Sequence, residues 1–68
     1  MLYPFVVDDP KLARWLIRRM PRGASFKLAL GTPLIGRLPS DVVPLDRDGY
    51  VLIYRLNEQQ AYHLESAR

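Results

Sequence analysis

Apolar residues recur along this chain with two different periods. In Asp9 to Arg22, DPKLARWLIRRMPR, the residues Leu12, Ala13, Leu16, Ile17 and Met20 recur at steps of one, three and four. At about 100° per residue they share one side of a helix. Lys11, Arg14 and Arg18 fall opposite, with Arg19 on the border. Asp9 can accept hydrogen bonds from first-turn N–H groups, and Pro10 suits the first helical position, where a missing N–H costs nothing. At the other end Pro21 disfavours helical geometry at Met20, and Gly23 supplies a permissive turn position.

Trp15 is the one large ring of this segment, and it stands outside the apolar stripe, between Lys11 and Arg19. Two arrangements account for it. A strand, a loop or the N-terminal segment covers the ring with arginine stems laid over it, or the ring stays exposed among cations, ready to stack on a base or anchor an interface.

From Ser25 onward the period shortens to two. Phe26, Leu28 and Leu30 point one way and Ser25, Lys27 and Ala29 the other, the pattern of a strand with one buried face. Gly31 to Pro33 reads as a turn, and Leu34 to Leu38 as the return strand of a hairpin, with a bulge or bend at Gly36. Val42 to Leu45 resumes the sheet at an edge, where Pro44 is tolerated, and DRDG, Asp46 to Gly49, is a turn. Tyr50 to Leu56, apolar on both faces, is the strongest strand and the expected central one. Leu2 to Val7 favours a strand that Pro4 confines to an edge, or an extended arm.

The last segment, NEQQAYHLESAR, fits two patterns. Asn57 with Gln60 matches a helix capping box, followed by a weak stripe of Ala61, Leu64 and Ala67. A loop at Asn57 to Gln60, followed by a strand through Tyr62 and Leu64, is favoured because the central strand needs neighbours. The outline is α+β: one domain over residues 1–68, with an N-terminal amphipathic helix packed on a small, strongly bent antiparallel sheet, in the manner of a small SH3-like or Sm-like barrel.

Composition narrows this picture. A chain of 68 residues buries only about 60% of its unfolded surface, so its core is marginal and self-association would complete it. At 49% hydrophobic and 25% charged it is too apolar for disorder. Without cysteine there is no disulfide scaffold and no cysteine-based zinc site. MLYPFVVDDP has neither the basic start nor the apolar core of a signal peptide, and no apolar run approaches membrane-spanning length, so a cytoplasmic protein without membrane contact is expected.

Charge distribution is more informative than the net +3. Lys11, Arg14, Arg18, Arg19, Arg22, Lys27 and Arg37 fall in a stretch, residues 11–37, that holds no acid, whereas five of the seven acids lie beyond it. One side of the domain is therefore expected to be basic, which suits an acidic protein surface or a nucleic-acid backbone. No enzymatic chemistry is expected: His63 is the only histidine, no serine sits in a nucleophile motif, GTPLIG lacks the phosphate-loop spacing, and no cofactor, metal or small-molecule substrate is implied.

A helix, a basic glycine-containing turn, the strand FKLAL, a turn and then LIGRL loosely resemble the Sm-like proteins, over roughly residues 10–65. Gly36 in Leu34-Ile35-Gly36 matches the family's second-strand glycine, and Ala61-Tyr62-His63 faintly matches its RNA-contacting run, here without lysine. The resemblance implies a helix followed by a bent five-stranded sheet, ring assembly and RNA binding.

The leading functional expectation is a small protein-interaction module, a regulator or inhibitor of a larger assembly. The alternative is RNA or DNA binding. In either case Lys11, Arg14, Trp15, Arg18, Arg19, Arg22 and Lys27 are the expected contact residues.

Overall fold

The computed structural model describes residues 2–66. Six elements follow in order: β1 (Leu2–Val7), α1 (Pro10–Arg19), β2 (Ser25–Ala29), β3 (Val42–Arg47), β4 (Tyr50–Arg55) and α2 (Glu58–Ser66). The fold is α+β, with four strands in one sheet in the order β1-β2-β4-β3. The sheet is mixed, where an antiparallel one was expected: β1 pairs with β2 in parallel, and the remaining pairs are antiparallel. Parallel neighbours need a crossover, and α1 supplies it. The sheet is open, so the closed barrel implied by the Sm-like resemblance is not formed.

α1 begins and ends where the sequence marks it. The Asp9 carboxylate accepts from the Lys11 N–H at 3.0 Å, Pro10 occupies the first turn, and Met20 closes the helix with its N–H on Leu16 O at 2.7 Å. Ala13, Leu16, Ile17 and Met20 are buried, joining Val7, Ala24, Phe26, Leu28, Val42 and Ile53 in one core. Leu12, at the margin of the stripe, stays 40% exposed. The pairing of Phe26 with Ile53 and Leu28 with Val51 puts these residues on the sheet face that α1 covers.

Pro21 ends the helix at a cost. Ile17 O would ordinarily accept from the N–H of residue 21, which proline lacks. Arg55, at the end of β4, fills this gap with a guanidinium hydrogen bond to Ile17 O. Its positive charge also suits the carbonyl end of a helix. The Asp41 carboxylate lies 3.8 Å from Arg55 Nε, near enough to offset charge though too far for a hydrogen bond. The Arg55 main chain pairs with Gly23 N–H and Ala24 O at 2.8 and 2.9 Å. One residue thus ties the end of α1, the entry to β2 and the entry to β3 together.

Three expectations are corrected. Leu34 to Leu38 is not a return strand but part of the long β2–β3 loop. Both lateral sides of β2 are already taken by β1 and β4, and Pro33 and Pro39 interrupt pairing at either end. Leu34 and Leu38 pack against the core, and Gly36 takes φ +80°, a loop conformation and not a strand bulge. The C-terminal segment is a helix: Gln60 N–H donates to Asn57 Oδ1 at 2.8 Å and Asn57 N–H to Gln60 Oε1 at 2.9 Å, a reciprocal capping box. β3 already supplies the neighbour that β4 needs. Of the weak stripe, Ala61 is buried, Leu64 is 43% exposed and Ala67 lies outside the described residues. The Tyr54 hydroxyl donates to Gln60 at 2.9 Å, which brings α2 to the sheet face opposite α1.

Prolines blunt the sheet's edges. Leu56 N–H donates to Asp41 O at 2.8 Å, so by antiparallel alternation Val42, Pro44 and Asp46 turn their main-chain groups away from β4. Val42 N–H is already bound to Pro39 O at 3.1 Å and Pro44 has none, which leaves Asp46 as the outward donor of β3. β1 carries Pro4 and an irregular register between Leu2 and Val6. Such edges resist strand addition by another chain. In the β3–β4 turn positive φ falls on Gly49 alone, the pattern of a type II turn.

Two stability effects follow. Arg55→Met should lower unfolding free energy by about 2 kcal/mol in urea titrations, because a charged hydrogen bond to an otherwise unsatisfied carbonyl is lost. Arg55→Lys should recover part of that loss. Asn57→Ala should cost about 1 kcal/mol and reduce helical circular dichroism, because it opens the α2 capping box.

Candidate functional site

With one side of α1 committed to the core, the other is left to solvent. Lys11, Arg14, Trp15, Arg18 and Arg19 are all exposed. Together with Ile35 they line an open hollow of about 750 Å³. Trp15 is 51% exposed, and among the described residues no strand or loop closes over it. The Arg19 guanidinium carbon sits 4.9 Å from the ring centroid, a cation–π contact across one helical turn. Both proposed arrangements of Trp15 are thus realised in part: an arginine lies on the ring, and the residue as a whole remains about half exposed.

The β2–β3 loop builds the second wall. Ile35, Gly36, Arg37, Leu38 and Pro39 face Arg14, Ile17 and Arg18 across a smaller hollow of about 240 Å³. The two hollows share Arg14, Arg18 and Ile35. Arg37 therefore belongs beside the helix cations, and Ile35 stands 45% exposed among them. Neither was among the expected contact residues. The sequence counted Arg37 in its basic block, but a strand at Leu34 to Leu38 would have placed Ile35 and Arg37 together on one sheet face, and nothing in that reading brings them to the helix cations.

Two expected residues lie elsewhere. Lys27 alternates with Phe26 and Leu28, so it points to the sheet face opposite α1, with its ammonium 5.2 Å from the Tyr50 ring centroid. Arg22 is exposed in the turn after α1 and lines neither hollow. The charged face is a group of four helix cations around Trp15, extended by Arg37.

Electrostatically this face is uncompensated. None of Lys11, Arg14, Arg18, Arg19 and Arg37 forms an ion pair with a described residue. Lys11 and Arg14 are three apart and Arg14 and Arg18 four apart, spacings at which like charges on a helix each cost about 0.2–0.5 kcal/mol. Beyond the N-cap Asp9, α1 has no acid in its first turn. An anionic group placed over the face would relieve all of these repulsions together.

His63 is exposed on α2, away from the basic face, with its ring 6.0 Å from Tyr62. Among the described residues no three His, Cys, Asp or Glu side chains are grouped as a metal site would require. No helix among them is long and apolar enough to cross a membrane.

Comparison with known proteins yields no match to a family model, a curated protein or a solved structure. The site is therefore read from its own chemistry.

One prediction separates this face from a structural one. Arg14→Glu places an acid four residues before Arg18 and replaces a repulsive pair by an attractive one. It should raise stability by about 0.3–0.5 kcal/mol in urea unfolding. A loss above 1 kcal/mol would show that Arg14 holds the fold together.

Proposed function

We propose that this protein is a small interaction module that docks an acidic protein surface on the solvent side of α1, acting as a regulator or inhibitor of a larger assembly. The observation that carries this reading is the convergence of four helix cations, none in an ion pair with a described residue, on a half-exposed tryptophan, with an aliphatic wall from Ile35. Tryptophan and arginine dominate the energetics of protein interfaces, and an aliphatic wall beside them suits a partner side chain better than a phosphate. Stability given up to charge repulsion within α1 is what a surface kept for an anionic partner would show.

Nucleic-acid binding is the second reading, favoured by one feature. Trp15 under a guanidinium, with cations on either side, is a stacking platform for an unpaired base. Self-association would use the sheet face opposite α1, where Val6 is 55% and Leu45 40% exposed, because both sheet edges are blunted by proline.

The test uses Trp15, the only tryptophan, as reporter. Poly-glutamate titrated at about 50 mM salt should change its emission, an effect weakened at about 300 mM as charges are screened. Arg14→Glu/Arg18→Glu should abolish the response while thermal unfolding remains cooperative. Oligothymidylate binding with no response to poly-glutamate would move the assignment to nucleic acid. No response to either polyanion would overturn both readings.

A further inference from the structure

The groove between α1 and the β2–β3 loop combines an apolar floor with a cationic rim. The smaller hollow is lined by Ile17, Leu38 and Pro39, which are buried or half-buried, and by Ile35, Arg14, Arg18 and Arg37, which are exposed. Ile17 and Leu38 also belong to, or pack against, the core, so the floor is held in place by the fold. The hollow's volume of about 240 Å³ is ample for one medium-sized aliphatic side chain. Water there faces mostly hydrocarbon, and its release on binding is favourable.

We propose that this groove recognises a short acidic peptide segment carrying one aliphatic anchor. The anchor fills the hollow over Ile17 and Leu38, and its flanking carboxylates pair with Arg14, Arg18 and Arg37. This inference rests on the docking reading above and gives the partner its pattern: acids on both sides of a leucine-like residue. Charge complementarity selects the acids, since all three polar side chains on the rim are arginines. Planar guanidinium groups bind carboxylates in a bidentate manner, which fixes direction as well as sign. The helix positions from Lys11 to Arg19 span about 12 Å, so about four extended residues cover the face. Trp15 then lies beside the bound segment and reports its arrival.

The experiment compares blocked peptides of sequence Glu-Asp-Leu-Asp-Glu and Glu-Asp-Ala-Asp-Glu, each titrated against the full chain by Trp15 emission and by amide chemical shifts. The leucine peptide should bind at least about tenfold more tightly, the effect of burying one aliphatic side chain. The exposed Ile35 allows a second variant that leaves the core intact. Ile35→Ser should weaken the leucine peptide severalfold and leave the alanine peptide unchanged. Equal affinity for both peptides would overturn the anchor while leaving acidic docking in place. Absence of binding by either peptide, or by poly-glutamate, would remove the docking reading as well. Preference for oligothymidylate over both peptides would overturn the inference in favour of a nucleic-acid face.

Discussion

The hydrogen bond from Arg55 to Ile17 O is the constraint on which the rest of this small fold depends. Pro21 stops α1 sharply, but by withholding a donor it leaves a carbonyl without its ordinary partner at the helix end. Satisfying that carbonyl from β4 fixes how α1 is rotated and how far it lies along the sheet. Burying most of an arginine is costly, and the helix carbonyl and the nearby Asp41 carboxylate offset that cost. The apolar stripe of α1 turns Ala13, Leu16, Ile17 and Met20 inward and leaves Lys11, Arg14, Trp15, Arg18 and Arg19 facing solvent, and the Arg55 bond pins the helix end in that orientation.

The loop between β2 and β3 depends on the same arrangement. It must travel from the end of β2 to the far side of β4, and on the way Leu34 and Leu38 pack against the core. The alternation of this segment, with Ile35 and Arg37 between those leucines, sends those two side chains toward the helix cations instead of onto a second sheet face. A connecting segment thereby becomes one wall of the groove. The core packing that stabilises so short a chain and the geometry of its exposed face are the same set of contacts.

Local signals in the sequence were reliable where the physics is local. The Asp9-Pro10 start, the Pro21 stop and the apolar stripe of α1 are realised, since each depends on neighbours within a few residues. In β2 Phe26 and Leu28 face the core as their alternation implies, but Leu30 falls past the strand's end and is 62% exposed, and Ser25 is buried. The edge position of Pro44 follows from its missing donor in the same way. Long-range pairing was not legible. Nothing in Leu2 to Val7 says that its partner is β2 in parallel, and alternation in Leu34 to Leu38 is shared by a strand and by a loop with two buried leucines. In the C-terminal segment the Asn57–Gln60 capping box was the correct signal; the need of β4 for another neighbour was a weaker argument, already met by β3. Of the expected contact residues, five line one hollow, while Lys27 was misplaced because its strand alternation was not carried through to the face it implies.

A protein this small has few ways to be selective. Here the selectivity would rest on sign of charge, one accessible indole and one aliphatic hollow, all carried by α1 and a loop pinned against it. Both the core and the exposed basic face depend on the division of α1 into a core side and a solvent side. Nuclear Overhauser contacts in solution test it most directly. Expected are contacts from the side chains of Leu16 and Ile17 to Phe26 and Ile53, with the Trp15 indole showing contacts to its helix neighbours and none to the sheet. Contacts from the indole to Phe26 or Ile53 would show the ring buried against the sheet, and would contradict the assignment of this face to a partner.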